Sequence, residues 1–130
     1  MKEPAWVPKD FVLALHEDLL AEYGGAPGIR DEALLESALA RPHHLFAYED
    51  PDIFTLAAAY ISGLVRNHPF IDGNKRTAFM IGYAFLSRNG KELTAPEAEA
   101  TAIILDLASR KIKEEGLAAW LRKNCEYRKV

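Results

Sequence analysis

The sequence predicts an all-α fold: a compact bundle of about six helices forming a single domain over residues 1–130, with room for one small β-hairpin. Three observations carry this prediction. Apolar residues recur at helical rather than alternating spacings along most of the chain. Capping and stopping residues punctuate those segments where helices should begin and end. Hydrophobic residues make up 49% of the 130 positions, enough to fill one core at this length.

The first element is "KDFVLALHEDLLAEYGG". Its apolar positions Phe11, Val12, Leu15, Leu19 and Leu20 mark an amphipathic helix, with Asp10 as cap and Gly24-Gly25 as stop. His16 lies mid-helix and has no catalytic reading. "GGAPGIR" is a turn-rich connection. "RDEALLESALAR" begins a second helix at the Asp31 cap and is expected to end before Pro42. "PHHLFAYEDP" has proline at both ends and aromatics inside, which suits a short strand or hairpin; His43 and His44 read as surface or packing residues. "DIFTLAAAYISGLVRN", capped by Asp52, and "NKRTAFMIGYAFLSRNG", ended by Asn89-Gly90, are apolar on nearly every face and belong at the centre of the bundle. Gly63 and Gly82 within them each weaken a helix by about 1 kcal/mol relative to alanine, which close helix–helix approach would offset. "KELTAP" is a short extended link. "APEAEATAIILDLASRK" and "EEGLAAWLRKNCEYR" complete the set, with Leu117 and Trp120 read as core.

Composition excludes several function classes. A net charge of −3 argues against general nucleic-acid binding, although it leaves room for a local basic site. The single cysteine, Cys125, permits no intrachain disulfide and sits in a polar stretch without a neighbouring histidine, so it reads as inert. The N-terminal residues lack the apolar core of a signal peptide, and the longest apolar run is too short to span a bilayer. The expectation is a soluble, cytoplasmic protein with no direct nucleic-acid or membrane partner.

Between the two central helices lies "HPFIDGNKRTAF", His68 to Phe79. Pro69 disfavours helical backbone at His68, and Gly73 permits unusual backbone angles, so a turn is expected here with a helix starting near Asn74. A helix start leaves N–H groups unpaired and carries partial positive charge, which makes it an anion site. Lys75 and Arg76 in the first turn work against the helix dipole unless an anion binds between them. The remaining groups suit phosphoryl chemistry. Arg76 can grip phosphate oxygens bidentately, Lys75 adds a point charge, and Asn74 can donate an amide hydrogen bond. Asp72 is a hard oxygen ligand for magnesium beside a substrate's phosphates, and His68 has the ordinary pKa of a general base. A phosphate-cradling P-loop is excluded, because Asn74 rather than glycine precedes Lys75 and a helix rather than a strand leads in. A zinc site is excluded for want of ligands at set spacings.

The same stretch resembles the signature of the Fic/Doc family, His-Pro-Phe-x-(Asp/Glu)-Gly-Asn-Gly-Arg-x-x-Arg, and more closely its Doc (death-on-curing) toxin branch. It matches through Asn74, has Lys75 where Fic enzymes have glycine, keeps Arg76, and has Phe79 at the second arginine. "YGGAPGIRDEALLESALARP" and "LSRNGKEL" are also similar to Doc proteins, so the resemblance covers roughly residues 10 to 125. It implies a Fic/Doc-like helical fold and an enzyme that uses ATP and Mg2+. On that basis His68 would deprotonate a target hydroxyl and Asp72 would bind magnesium and orient His68. Asn74 with the backbone at Gly73 would form the anion hole, Arg76 would hold phosphate, and Phe70 would pin the loop.

Lys75 and Phe79 both count against AMP transfer, the usual Fic reaction, and for the Doc outcome, transfer of the γ-phosphate. The resemblance thus implies a protein kinase that acts on a Ser/Thr hydroxyl of a translation factor, elongation factor EF-Tu, and halts protein synthesis. It further implies a toxin neutralised in trans by a Phd-like antitoxin. The inhibitory segment that many Fic proteins carry, (Ser/Thr)-x-x-x-Glu-(Gly/Asn), has no good match; in "SRKIKEEG" Glu114 and Glu115 follow Ser109 too late. "PHHLFAYEDP" falls where the family carries its target-docking flap. AMP transfer, or a catalytically silent module paired with an antitoxin, are the competing readings.

Overall fold

The computed structural model describes residues 2–127. It contains helices α1 (Lys9–Tyr23), α2 (Glu32–Tyr48), α3 (Ile53–Asn67) and α4 (Asn74–Arg88). Strand β1 (Lys91–Leu93) follows, then α5 (Glu97–Ala108), α6 (Glu114–Lys123) and strand β2 (Cys125–Tyr127). The helical fold expected from the sequence is therefore present, with six helices and one small antiparallel sheet.

The centre is α3. Nine consecutive residues, Leu56 to Leu64, are buried, because α2, α4, α5 and α6 all pack around this one helix. Its start is fixed by Asp52, whose carboxylate accepts the Thr55 N–H at 2.8 Å and also grips Arg122 of α6 at 2.6 Å. The two helical glycines sit where backbones crowd. A β-carbon on Gly63 would stand 3.3 Å from the Ala38 Cα of α2, and one on Gly82 would collide with the Ile61 side chain of α3. Both glycines thus permit the close approaches that their intrinsic cost implied.

Three local expectations are corrected. The α1 cap is Pro8 rather than Asp10; the Pro8 carbonyl accepts the first helical bond from Val12, and Asp10 lies in the first turn, a favourable place for negative charge. The second helix does not stop before Pro42: α2 runs through it to Tyr48, so no hairpin flap forms over residues 42–51. An interior proline costs a helix about 3 kcal/mol, and tertiary contacts offset it. Pro42 is buried, and Trp6 from the N-terminal segment stacks on His43 (centroids 3.9 Å apart) and meets Phe46 edge-on, clamping the turns beyond the proline. The sheet lies elsewhere, where the link "KELTAP" was expected. Lys91 to Leu93 pair with Tyr127 to Cys125, and this is no hairpin because α5 and α6 intervene. Leu117 is fully buried, and Trp120 is half-buried against the core as expected.

Candidate active site

The stretch from His68 to Gly73 joins the C-terminus of α3 to the N-terminus of α4. The turn at Pro69 takes an unusual form: His68 is in the left-handed region (φ 49°, ψ 54°) and caps α3 by giving its N–H to the Leu64 carbonyl at 3.2 Å. A non-glycine residue holds that conformation only where its surroundings enforce it. Here Arg30 does so. Its guanidinium donates to the His68 carbonyl at 2.7 Å and to the Asn67 carbonyl at 2.9 Å, while its own N–H and that of Asp31 both reach the Pro69 carbonyl.

The α1–α2 connection runs alongside as a cradle. Ile29 bridges Phe70, Ile71 gives its N–H to the Gly28 carbonyl at 3.1 Å, and Ala26 gives its N–H to Asp72 Oδ2 at 3.2 Å. The stretch that read as a plain turn is thus the second half of the site. Below it, Phe70 is 1% exposed and pins the loop as expected. Its ring lies flat on His16, with centroids 3.8 Å apart and planes 12° apart.

Asn74 is 5% exposed, and its amide faces inward. Oδ1 accepts the Phe70 N–H and Nδ2 donates to the Phe70 carbonyl, both at 2.9 Å. Its side chain therefore closes the loop on itself. At this point the donors offered by the start of α4 are backbone N–H groups, for Gly73 in the left-handed region (φ 78°) is the N-cap and no side chain caps the helix. Asp72 is exposed; one carboxylate oxygen accepts the Gly73 N–H at 2.9 Å and the other the Ala26 N–H.

His68, Asn74 and Lys75 come together on a cleft of about 620 Å3. Its walls add Arg41, Arg66, Arg110 and Lys113, set against only Glu114 and Glu115. Glu114 pairs with Arg41, linking α6 to α2 at the rim. A chain of net negative charge thus places five of its 16 lysines and arginines around one concavity. Arg76 is not on this cleft. Its guanidinium lies 3.9 Å over the Tyr23 ring, on a separate groove of about 380 Å3 that also carries Lys75, Phe79 and Leu105. The structure therefore unites His68 with Lys75 at an uncapped helix start and turns Arg76 to the neighbouring side.

Reading by spacing alone missed Arg30, His16 and the distant cations. The usable signal was slight: a histidine on the apolar face of α1, and an arginine directly before the Asp31 cap. Volume, charge and free backbone donors fit a nucleoside triphosphate. Asp72 does not line the cleft; its exposed carboxylate sits two residues before Asn74, which does, and is of the type through which magnesium is commonly bound, one or two carboxylates together with phosphates rather than a full protein cage. Among the described residues no group of three or more metal-binding side chains occurs, and no helix is long and apolar enough to cross a membrane.

Residues 6–86 match the family model described as Fic/DOC family. The chain belongs to that family. It is 34% identical over 113 residues to "Protein kinase doc" of Escherichia phage P1, covering 86% of this chain and 89% of that protein. It is 37% identical over 103 residues to "Toxin Doc" of Mycolicibacterium smegmatis, covering 76% of this chain and 79% of that one. The family match includes both halves of the site: the cradle between α1 and α2 and the loop from His68 to Asn74.

Proposed function

We propose that this protein is a Doc-type toxin kinase that transfers the γ-phosphate of ATP to a Ser/Thr hydroxyl of a translation factor, with elongation factor EF-Tu as the expected target. The observation that carries the reading is the cation-walled cleft in which His68 and Lys75 meet the uncapped N-terminus of α4. The phage P1 relative, whose name is that of a protein kinase, and the mycobacterial relative, whose name is that of a toxin, support it.

The chemistry follows from the residues. His68 takes the proton of the target hydroxyl as its oxygen bonds to the γ-phosphorus, and ADP leaves. The α4 backbone N–H groups, Lys75 and the cleft arginines hold the triphosphate and balance charge on its oxygens. Magnesium held by Asp72 would neutralise further phosphate charge. Lys75 occupies space that AMP transfer needs open and so favours presenting the terminal phosphate to His68. Arg76, stacked on Tyr23, would reach phosphate only after leaving that ring. A Phd-like antitoxin bound in trans completes the proposed pair, with its helix laid into a groove of this domain. Target docking by a hairpin at residues 42–51 forms no part of the proposal, because that segment is helical through Tyr48.

The test is label transfer. Purified protein, magnesium and an extract containing EF-Tu receive ATP labelled at the α- or the γ-phosphate. A band near the size of EF-Tu labelled from γ alone, and absent with His68→Ala, is the expected result. Label from α would establish AMP transfer and overturn the role given to Lys75. No His68-dependent label from either position would leave the silent-module reading. Lys75→Gly is expected to weaken γ-transfer; unchanged transfer would show that Lys75 does not orient the nucleotide.

A further inference from the structure

We propose that His16 is a positioning residue for the active-site loop: it locks the peptide group between Asp72 and Gly73 and thereby aims the Asp72 carboxylate. This rests on the phosphate-transfer reading for its catalytic consequence but not for its structural content.

His16 is 4% exposed and projects from the middle of α1 on the same face as Val12. A helix that needed only packing would place an aliphatic residue there, since burying an imidazole without a partner is costly. The partner is distant in sequence and is backbone. His16 Nε2 lies 2.8 Å from the carbonyl oxygen of Asp72. A carbonyl only accepts, so Nε2 carries the proton, and it does so in both the neutral Nε2–H tautomer and the imidazolium. The flat stack on Phe70 fixes the ring plane and so the direction of that N–H.

The bond matters because of what shares the peptide. The carbonyl of the 72–73 peptide goes to His16, and its N–H, that of Gly73, goes to Asp72 Oδ1 at 2.9 Å. The other carboxylate oxygen takes the Ala26 N–H. Rotating the peptide plane would carry the Gly73 N–H away from Oδ1, release the carboxylate, and disturb the left-handed N-cap that aims the first donors of α4. On its other side Gly73 is tied into the helix, its carbonyl accepting the Thr77 N–H at 3.0 Å, and the nearest side chains to a β-carbon placed on it are those of Leu20 and His16. The other anchors act upstream or from within. Arg30 holds the carbonyls of Asn67 and His68, and Asn74 holds both backbone groups of Phe70. His16 is the side chain that grips the peptide next to the carboxylate.

Two substitutions separate the hydrogen bond from the packing. His16→Phe keeps a ring against Phe70 and removes the donor. His16→Gln gives up the ring and keeps an N–H donor at similar reach. Both are compared with wild type for phosphate-transfer kinetics, for melting temperature, and for hydrogen exchange of the Gly73 amide. The expected result is a roughly ten- to hundredfold lower kcat in His16→Phe, the scale on which slight misplacement acts, with KM for the target protein unchanged, the Gly73 amide exchanging faster, and His16→Gln restoring both readouts. Wild-type exchange at Gly73 in His16→Phe overturns the proposal. So does a loss of kcat in both variants that simply follows their melting temperatures. If wild type itself transfers no phosphate, the proposed function fails, and the exchange comparison alone still decides whether His16 holds the loop.

Discussion

His68 combines a strained backbone with a free side chain. Its left-handed conformation is held by Arg30 through backbone carbonyls, and its imidazole is exposed on the cleft. Removing the ring should therefore cost chemistry and not fold. His68→Ala is expected to abolish transfer while keeping a cooperative melt within about 1 kcal/mol of wild type, the scale of a surface change without lost burial; an unfolded variant would show the ring to be structural. Cys125 gives the opposite case, a reactive group made quiet. Burial raises its thiol to about 11, and Lys91 nearby only partly counteracts this. At pH 8 it should react with iodoacetamide on the order of a hundredfold more slowly than an unperturbed thiol, and denaturant should restore the ordinary rate. Because the folded pKa lies above the unfolded one, this group's contribution to stability is intact below about pH 9 and declines as pH rises toward 11. Fast labelling of the native protein at pH 8 would contradict the burial.

The helices themselves were legible because period and caps agree. Asp31 and Asp52 both cap as their spacing implied, and the apolar-all-round pattern of α3 does mark the centre. The glycines carried information of the same kind, and Gly82 gives a sharp test. Ile61, against which its β-carbon would press, is fully buried, and the clash involves Cγ1 at 2.6 Å as well as the terminal methyl. Gly82→Ala, a change that favours an isolated helix, should here destabilise the protein by about 1–3 kcal/mol in denaturant titrations; a neutral or stabilising result would mean that α3 and α4 have room to part. What the pattern hid was α2 beyond Pro42. A proline's local cost is visible in sequence, but the Trp6 clamp that offsets it comes from thirty-odd residues upstream and has no local signature. The β1–β2 pairing was hidden similarly, since its partner strands are separated by two helices.

At the scale of the molecule the same distinction decides how much of the site could be read. The loop from His68 to Lys75 is one stretch of sequence and announced its chemistry; the walls of the cleft are not. Arg41 comes from α2, Arg66 from α3, and Arg110 and Lys113 from the α5–α6 connection, and a net charge of −3 averages them away. Only the packing of four helices on α3 brings these cations to one concavity. This gives a binding prediction that does not depend on turnover. A ligand that binds only the folded protein stabilises it by about 2.7 kcal/mol when present at a hundred times its dissociation constant. A domain of this size converts each kcal/mol into about 2–8 °C of melting temperature. Magnesium-ATP should therefore raise the melting temperature of wild type by several degrees. The rise should persist in His68→Ala, since the part proposed for that ring is proton transfer and not nucleotide binding. It should be largely lost in Lys75→Glu, which reverses the charge at the start of α4, and it should shrink as salt screens the exposed cations. Equal shifts in wild type and Lys75→Glu would place the nucleotide away from the α4 N-terminus, and no shift in any variant would remove the phosphate-binding reading of the cleft altogether.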